Sequence, residues 1–518
     1  MNIGFIPAKT ARLDPTREAL IDVHSGRRVT FGELNENVCR LSNALVGQLG
    51  LSKGDRVAVL SKNAIEYMEI YYACARVGMI AQPINWRLGP QEMVRILEDG
   101  SPSVVISSDE YGEQVGQIKG QTDISHWLNF GAGGDGSYGA LLKGSPSSEP
   151  SCSADIGGDD PVLILYTGGT TGESKGALHT HRSLYMGMIN QTVAERVVPT
   201  DVYMLTGQMF HIPVALGMNY HAHGCPMVLI NFDARLALET IERERVSAFL
   251  GITTMLNWMM ADENFAEFDL GSLRNIQYGG GPMPGSVVAA ALEAFPCTII
   301  QGYGQTEGMT MSFLSQEDHL RAVAGDHPER LDSCGREGFV TEMRLVDLEG
   351  KTVPRDGNTP GEILVRSEAN MVGYWQRPDL TSETIRDGWM WTGDIAVWDE
   401  EGYIFIVDRA KDMIISGGEN IFCTQVEAAI HKHPGVLESA VFGIPDDQWG
   451  EAVKAVVVMK PGHSATERDI IDVAAEHLAS YQKPKSVDFV ESLPKAPTGK
   501  ILKRELRTPY WDAVRKNL

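Results

Sequence analysis

Between Tyr166 and Gly176 the chain reads Tyr-Thr-Gly-Gly-Thr-Thr-Gly-Glu-Ser-Lys-Gly, which concentrates glycines, threonines and one lysine. Glycines let a backbone approach a ligand closely. Exposed amides, the hydroxyls of Thr167, Thr170 and Thr171 and the ammonium of Lys175 together suit the oxygens of a phosphate chain. A plain glycine-rich hairpin is the competing reading. The run does not match the Walker pattern, because two residues separate Lys175 from Gly172 and a glycine follows it. Gly176 to Thr180 reads as extended, so no helix dipole is aimed at the loop and a P-loop kinase or GTPase is disfavoured.

A second constellation lies at Gly302-Tyr303-Gly304-Gln305-Thr306-Glu307, after the strand-like run Cys297-Thr298-Ile299-Ile300. Tyr303 between two glycines can lay its ring on a flat base, Thr306 offers a hydroxyl to phosphate, and Glu307 offers a hard carboxylate to Mg²⁺. A turn with a core tyrosine fits the same residues. Trp391-Thr392-Gly393-Asp394 places a carboxylate after an expected tight turn, where it can accept both hydroxyls of a ribose. Asp408-Arg409-Ala410-Lys411-Asp412 falls at the inferred domain boundary and by itself reads first as a solvated charged surface. Near the end, Lys500 stands behind the Pro497-Thr498-Gly499 turn, in the context where a lysine is most often simply exposed.

The elements that must carry these residues alternate. Val57 to Leu60 and Val104 to Ile106 read as strands, with an amphipathic stretch from Ala64 to Val77 between them, which indicates layered α/β structure. Gly144 to Asp160 is rich in Ser, Pro and Gly and reads as a surface connection. Residues 335–407 are denser in β-type segments, and an α+β texture follows Arg409, with a helix expected from Gln425 to His433.

At 518 residues the chain is too long for one core. Its 45 basic and 68 acidic residues give a net charge of −23, which disfavours nucleic acid and anionic membranes as partners. The seven cysteines are scattered without a CxxC pair, so neither a zinc site nor a disulfide framework is expected and a cytoplasmic location fits best. No stretch approaches the ~18 apolar residues of a membrane span.

Taken in order, TGGTTGESKG, YGQTE, WTGD, DRAKDMIISGGENI and PTGK resemble the adenylate-forming superfamily of acyl-CoA synthetases, nonribosomal adenylation domains and luciferases. The resemblance runs from about Phe31 to Leu506. Met371 to Trp375 and Ile414 to Ile421 look most like fatty- and aryl-acyl-CoA ligases. It implies an α/β fold: a large N-terminal domain (1–410) of layered α/β subdomains plus a β-rich subdomain, and a small mobile α+β C-terminal domain (411–518).

The implied activity is ATP-dependent, Mg²⁺-assisted formation of an acyl-AMP from a carboxylic acid, then transfer to coenzyme A. Transfer to a carrier protein is the alternative. By resemblance Thr167, Gly168, Thr170, Thr171, Gly172 and Lys175 would hold the β- and γ-phosphates, and Tyr303 and Gly304 would face adenine opposite Gly279, Gly280 and Gly281. Thr306 would touch the α-phosphate, Glu307 would hold Mg²⁺, and Asp394 and Arg409 would bind ribose. Lys500 would serve the first step only. Lys411 would be the hinge that replaces it with Ser416, Gly417 and Gly418 at the pantetheine channel. His211 matches a position lining or gating the acyl site, although a satisfied core histidine is also expected there. Ile212, Val214, Met255, Trp258, Gly279 and Met309 would line the acyl pocket. With no Arg or Lys in those segments, a neutral, largely apolar acid, aryl or medium-chain, is expected. The resemblance also allows a homodimer, and a lysine acetyltransferase and deacetylase acting on Lys500.

Three positions depart from the usual pattern. Gly169 stands where serine is common, Ser174 where proline is common and Cys423 where proline is common.

Overall fold

Parallel strands buried on both faces need continuous apolar runs, and Val57-Ala58-Val59-Leu60 supplies one. In the computed structural model this run lies in strand Arg56–Leu60, paired in parallel with Ile80–Pro83 on one side and Val104–Ser108 on the other. The described residues are 1–167, 174–281, 283–417, 419–446, 448–495 and 501–515. They divide into two compact units, the first comprising 1–167, 174–343 and 365–390, the second 344–364 and 391–518.

The first unit holds two large sheets. One has seven strands, with Arg56–Leu60 near its middle and the antiparallel hairpin Pro161–Thr167/Lys175–Thr180 towards one edge. The other has nine, and its parallel centre runs through Tyr203–Leu205, Ala248–Leu250, Asn275–Gly279 and Thr298–Gln305. Thr298–Gln305 then turns back antiparallel into Met309–Leu314. The Ala248–Leu250 and Asn275–Gly279 strands alternate between two cores. Phe249, Ile276 and Tyr278 enter one, while Leu250 packs against the other with Phe210, Ile212, Val214 and Met309.

Helix Ile65–Val77 corrects the amphipathic expectation, because every one of its residues is buried. Its polar residues are tolerated because each is paired. Arg27 bonds Glu66, Asn37 Nδ2 and Tyr138 Oη donate to Glu69 at 2.7 and 2.6 Å, and Arg76 reaches Glu149 at 2.7 Å. Those partners lie 32 to 73 residues away, out of reach of a local periodicity argument.

In the second unit, residues 394–398 of strand Trp389–Trp398 pair antiparallel with Ile404–Arg409. Farther on, Val436–Asp446 and Gly450–Met459 form a long antiparallel pair, with Ser486–Phe489 parallel to the latter. Helices Cys423–Ile430 and Glu467–Ala475 contribute to its core through Val426, Ile430, Ile470 and Ala474. The α+β texture expected after Arg409 is therefore present.

Candidate functional site

The described residues on either side of the glycine-rich run belong to the antiparallel strands Pro161–Thr167 and Lys175–Thr180. Thr167 and Lys175 face each other at the base of the run, followed by Tyr166 opposite Gly176. Gly176 is required by packing, since a Cβ there would lie 2.6 Å from Ile164 Cγ2. Gly168, Thr170, Thr171 and Gly172 lie outside the described residues. Tyr166 Oη donates to Asp99 at 2.6 Å, which fixes the entry to the loop.

Tyr303, Thr306 and Glu307 sit on the Thr298–Gln305 strand and the turn after it. Tyr303 and Thr306 are buried. The strand is glycine-rich for steric reasons. A Cβ on Gly279 would meet the Gly302 carbonyl at 2.2 Å, and one on Gly304 would meet the Met309 carbonyl at 1.9 Å. Gly280, by contrast, has φ +76° and nothing within 4 Å of a built Cβ; Gly281 is equally open. Open space beside two side-chain-less residues, one strand over from Tyr303, fits a flat base.

Thr306 is locked from below. Its carbonyl lies 2.7 Å from His179 Nε2, and burial lowers the His179 pKa to about 4. The imidazole is therefore neutral and donates its Nε2 proton.

Tyr374 joins the two motifs. Its hydroxyl donates to Glu307 Oε1 at 2.7 Å, while Lys175 Nζ stands 5.2 Å from its ring centroid. Burial and the Glu307 carboxylate hold the Tyr374 hydroxyl above the usual phenol range, so it stays a donor. The Met371 amide donates to the Glu307 carbonyl at 2.7 Å, which ties the same segment to the turn. Sequence reasoning used Tyr374 only as a mark of likeness, and it missed His179. Neither has a local signal, since each acts on a residue 67 or 127 positions away. Among the described residues no group of three or more His, Cys, Asp or Glu side chains can hold a metal ion. Glu307 as a single carboxylate suits a cation that brings its other oxygens with a phosphate chain.

Within the second unit Asp394 and Arg409 stand directly opposite each other on paired strands, with Arg409 Nε 2.5 Å from Asp394 Oδ1. Asp394 lies inside a continuous strand, which corrects the expected tight turn. Gly393, at φ +70°, supplies a local kink, and its amide donates to Glu362 Oε1 at 3.0 Å. Asp394 is 3 % exposed and Arg409 partly exposed. Lys411 is exposed in the turn that follows, where the Asp412 and Met413 amides return to the Arg409 carbonyl. Ser416 ends strand Ile414–Ser416, and Gly417 has φ +61° with its amide on the Trp449 carbonyl at 2.8 Å. A Cβ on Gly417 would come within 2.7 Å of the Trp449 ring, so packing within this unit already demands glycine there. Gly418 and Lys500 lie outside the described residues.

The residues expected around the acyl group divide. Val214 and Met309 are buried in one core, and Ile212 packs against it. Met309 takes φ +58° and fills the space left by Gly187. Met255 is half-buried on helix Thr253–Met260, whereas Trp258 on the same helix is 60 % exposed. His211 is exposed rather than a core histidine, yet the protein mass around it lowers its pKa by desolvation.

Comparison with known proteins accounts for this arrangement. Residues 8–375 match the family described as AMP-binding enzyme, and residues 425–500 match the AMP-binding enzyme C-terminal domain. The chain is 36 % identical over 98 % of its length to 99 % of a feruloyl-CoA synthase from Amycolatopsis sp. It is 35 % identical over 99 % of its length to all of a long-chain-fatty-acid–CoA ligase from Mycobacterium tuberculosis. Among solved structures, a Mycobacterium tuberculosis fatty acyl CoA synthetase superposes with a TM-score of 0.79 at 34 % identity, each chain covered to 98 %. An anthranilate CoA ligase in complex with anthranoyl-AMP gives 0.83 at 29 %, covering 98 % of this chain and 97 % of its own. With both family segments present in order over the same chain, this protein belongs to the AMP-binding enzyme family.

Proposed function

We propose that the protein is an ATP-dependent acyl-CoA ligase acting on a neutral, largely apolar carboxylic acid, aryl or medium-chain. The observation that carries this reading is the link through Tyr374, which holds Glu307 and Lys175 in one cluster. The near full-length similarity to a feruloyl-CoA synthase and a long-chain-fatty-acid–CoA ligase supports the acid class and the acceptor.

Carboxylate and triphosphate repel, so attack needs their charge screened. Lys175 and the hairpin hydroxyls would bind the outer phosphates, Thr306 would hold the α-phosphate, and Tyr303 would seat the base. Mg²⁺, when bound, supplies charge neutralisation at the phosphate oxygens and would rest on Glu307. The acid's oxygen attacks the α-phosphorus, the bond to pyrophosphate breaks, and acyl-AMP remains. Lys500 would steady the charge in this step. The thiol sulfur of CoA then attacks the acyl carbon, its proton goes to solvent, and AMP leaves. Asp394 and Arg409 would hold ribose in both steps. Rotation of the 411–518 domain about Lys411 would exchange Lys500 for the Ser416-Gly417-Gly418 turn, and acetylation of Lys500 would switch off the first step.

The scattered cysteines support a cytoplasmic location, and among the described residues no helix is long and apolar enough to cross a membrane. A second reading keeps adenylation and passes the acyl group to a carrier protein. It is favoured by 33 % identity to a fatty acid–[acyl-carrier-protein] ligase of Streptomyces coeruleorubidus over 98 % of this chain. Mass-spectrometric product analysis with ATP, Mg²⁺ and an acid panel, with and without CoA, separates the two. Acyl-CoA formed only when CoA is present supports the ligase; acyl-AMP unchanged in both arms supports a carrier acceptor.

A further inference from the structure

Helix Cys423–Ile430 begins without a cap of its own, because Phe422 before it offers no side-chain acceptor to the first amides. A carboxylate from the far side of Lys411 takes that place. The Thr424 amide donates to Asp408 Oδ2 at 3.4 Å, and the Cys423 amide donates to the same carboxylate. The Thr424 hydroxyl donates to the Val407 carbonyl, so one small residue holds both Val407 and Asp408. Asp408 is buried, and burial holds its pKa above the usual carboxylate range against the pull of the Arg409, Cys423 and Thr424 amides and the Lys503 ammonium. On helix Lys503–Arg515, Lys503 Nζ pairs with Glu427 Oε1 at 2.8 Å and Arg507 Nη1 donates to the Lys411 carbonyl at 3.5 Å.

Cys423 enters this arrangement through its backbone. It stands where proline is common, and a proline at the first helical position has no N–H to give. This chain therefore presents Asp408 with two successive helix amides, at the helix end where negative charge is favoured. The bonds to Val407 and Asp408 run from residues after Lys411 to residues before it. A hydrogen bond is lost within about an ångström of displacement, so rotation about Lys411 breaks them.

We propose that Asp408 is a positioning residue whose carboxylate clamps helix Cys423–Ile430 across the hinge and thereby sets the balance between the adenylating and thioester-forming arrangements. The clamp belongs to one arrangement and must open for the other. The inference rests on the acyl-CoA ligase reading and on its rotation about Lys411.

The test measures single-turnover rates of adenylation and of thioester formation on the full-length enzyme with ATP, Mg²⁺, CoA and a panel of acids. Asp408→Ala removes the acceptor, so the ratio of the two rates moves by about fivefold or more, one half-reaction slowing while the other does not. Asp408→Asn keeps an acceptor oxygen and holds the ratio within about twofold of the wild type. Cys423→Pro and Cys423→Ala both lose the thiol that donates to the Asp412 carbonyl at 2.8 Å, but only proline loses the amide. Phe422 is already extended at ψ 118°, as a residue before proline must be, so the proline variant folds. Cys423→Pro moves the ratio in the same direction as Asp408→Ala, and Cys423→Ala leaves it in place. Equal slowing of both half-reactions in Asp408→Ala, or an unchanged ratio, overturns the inference and leaves the ligase reading standing. If Asp408→Ala does not fold, the same ratio in both Cys423 variants overturns it. Absence of acyl-CoA from every acid with the wild-type enzyme removes the ligase reading, and the inference with it.

Discussion

Tyr374 Oη donates to Glu307 Oε1 at 2.7 Å across 67 residues of sequence, and this contact ties the strand beside the glycine-rich hairpin to the turn proposed to hold Mg²⁺. A carboxylate held from one side by a neutral donor keeps its other oxygen aimed, while its charge remains available to a cation. Tyr374→Phe removes the donor and leaves the ring under Lys175. A hydrogen bond to a charged group contributes about 1.5–3 kcal/mol, so the Mg²⁺ concentration for half-maximal adenylation rises roughly tenfold. Pyrophosphate release measured against Mg²⁺ checks this, and an unchanged Mg²⁺ requirement removes Glu307 from the metal role.

The two close-packed glycines of the same strands behave differently from the open one. Gly304→Ala places a Cβ 1.9 Å from a backbone oxygen and Gly279→Ala one at 2.2 Å, so each destabilises the protein by about 1–3 kcal/mol or more. Gly280→Ala meets no atom and carries only the cost of a left-handed residue, about 1–2 kcal/mol. Its effect falls on KM for ATP, because the new methyl enters the space proposed for the base. Thermal melts and ATP saturation curves, run on all three, distinguish packing from binding.

His179 makes stability pH-dependent. Its folded pKa of about 4 lies below the unfolded value of about 6.5, so the unfolded chain takes up a proton the folded one refuses. Its contribution is complete above about pH 6.5, is lost progressively as pH falls towards 4, and is constant below that. His181, His221 and His319 are lowered to about 4 by burial as well, so their slopes add. Melting temperatures at pH 7 and pH 5 fall steeply for the wild type and less so for His179→Gln. Equal slopes would mean that His179 does not titrate on unfolding.

Asp394→Asn breaks the ion pair with Arg409 without changing the strand. Charge-assisted hydrogen bonds are about twice as strong as neutral ones, so KM for ATP rises roughly tenfold with a smaller change in kcat. A matching rise for AMP inhibition locates the loss at the ribose rather than at the phosphates.

Lys411→Pro stiffens the turn that follows Arg409. Thioester formation slows far more than adenylation if this residue is the hinge. Single-turnover measurements of each half-reaction give the ratio, and equal slowing of both would place the hinge elsewhere.

Residue types by themselves determined the buried strands and the identity of the chemical groups. Val57 to Leu60 is apolar at every position, which only a strand covered on both faces requires. The glycine, threonine, lysine and glutamate motifs advertised phosphate and cation chemistry because few other uses need those groups together. What the sequence could not express is pairing over distance. Helix Ile65–Val77 carries Glu66, Glu69 and Arg76 and so looked half-exposed, but Arg27, Tyr138 and Glu149 pair with them by hydrogen bonds and ion pairs. Asp394 looked like a turn residue because glycine precedes it, whereas strand pairing with Arg409 overrode that local preference. Tyr374 became a partner of Glu307 through sheet register. Composition and spacing select the groups, while packing decides which of them meet, because a hydrogen bond depends on ångströms that no linear spacing encodes.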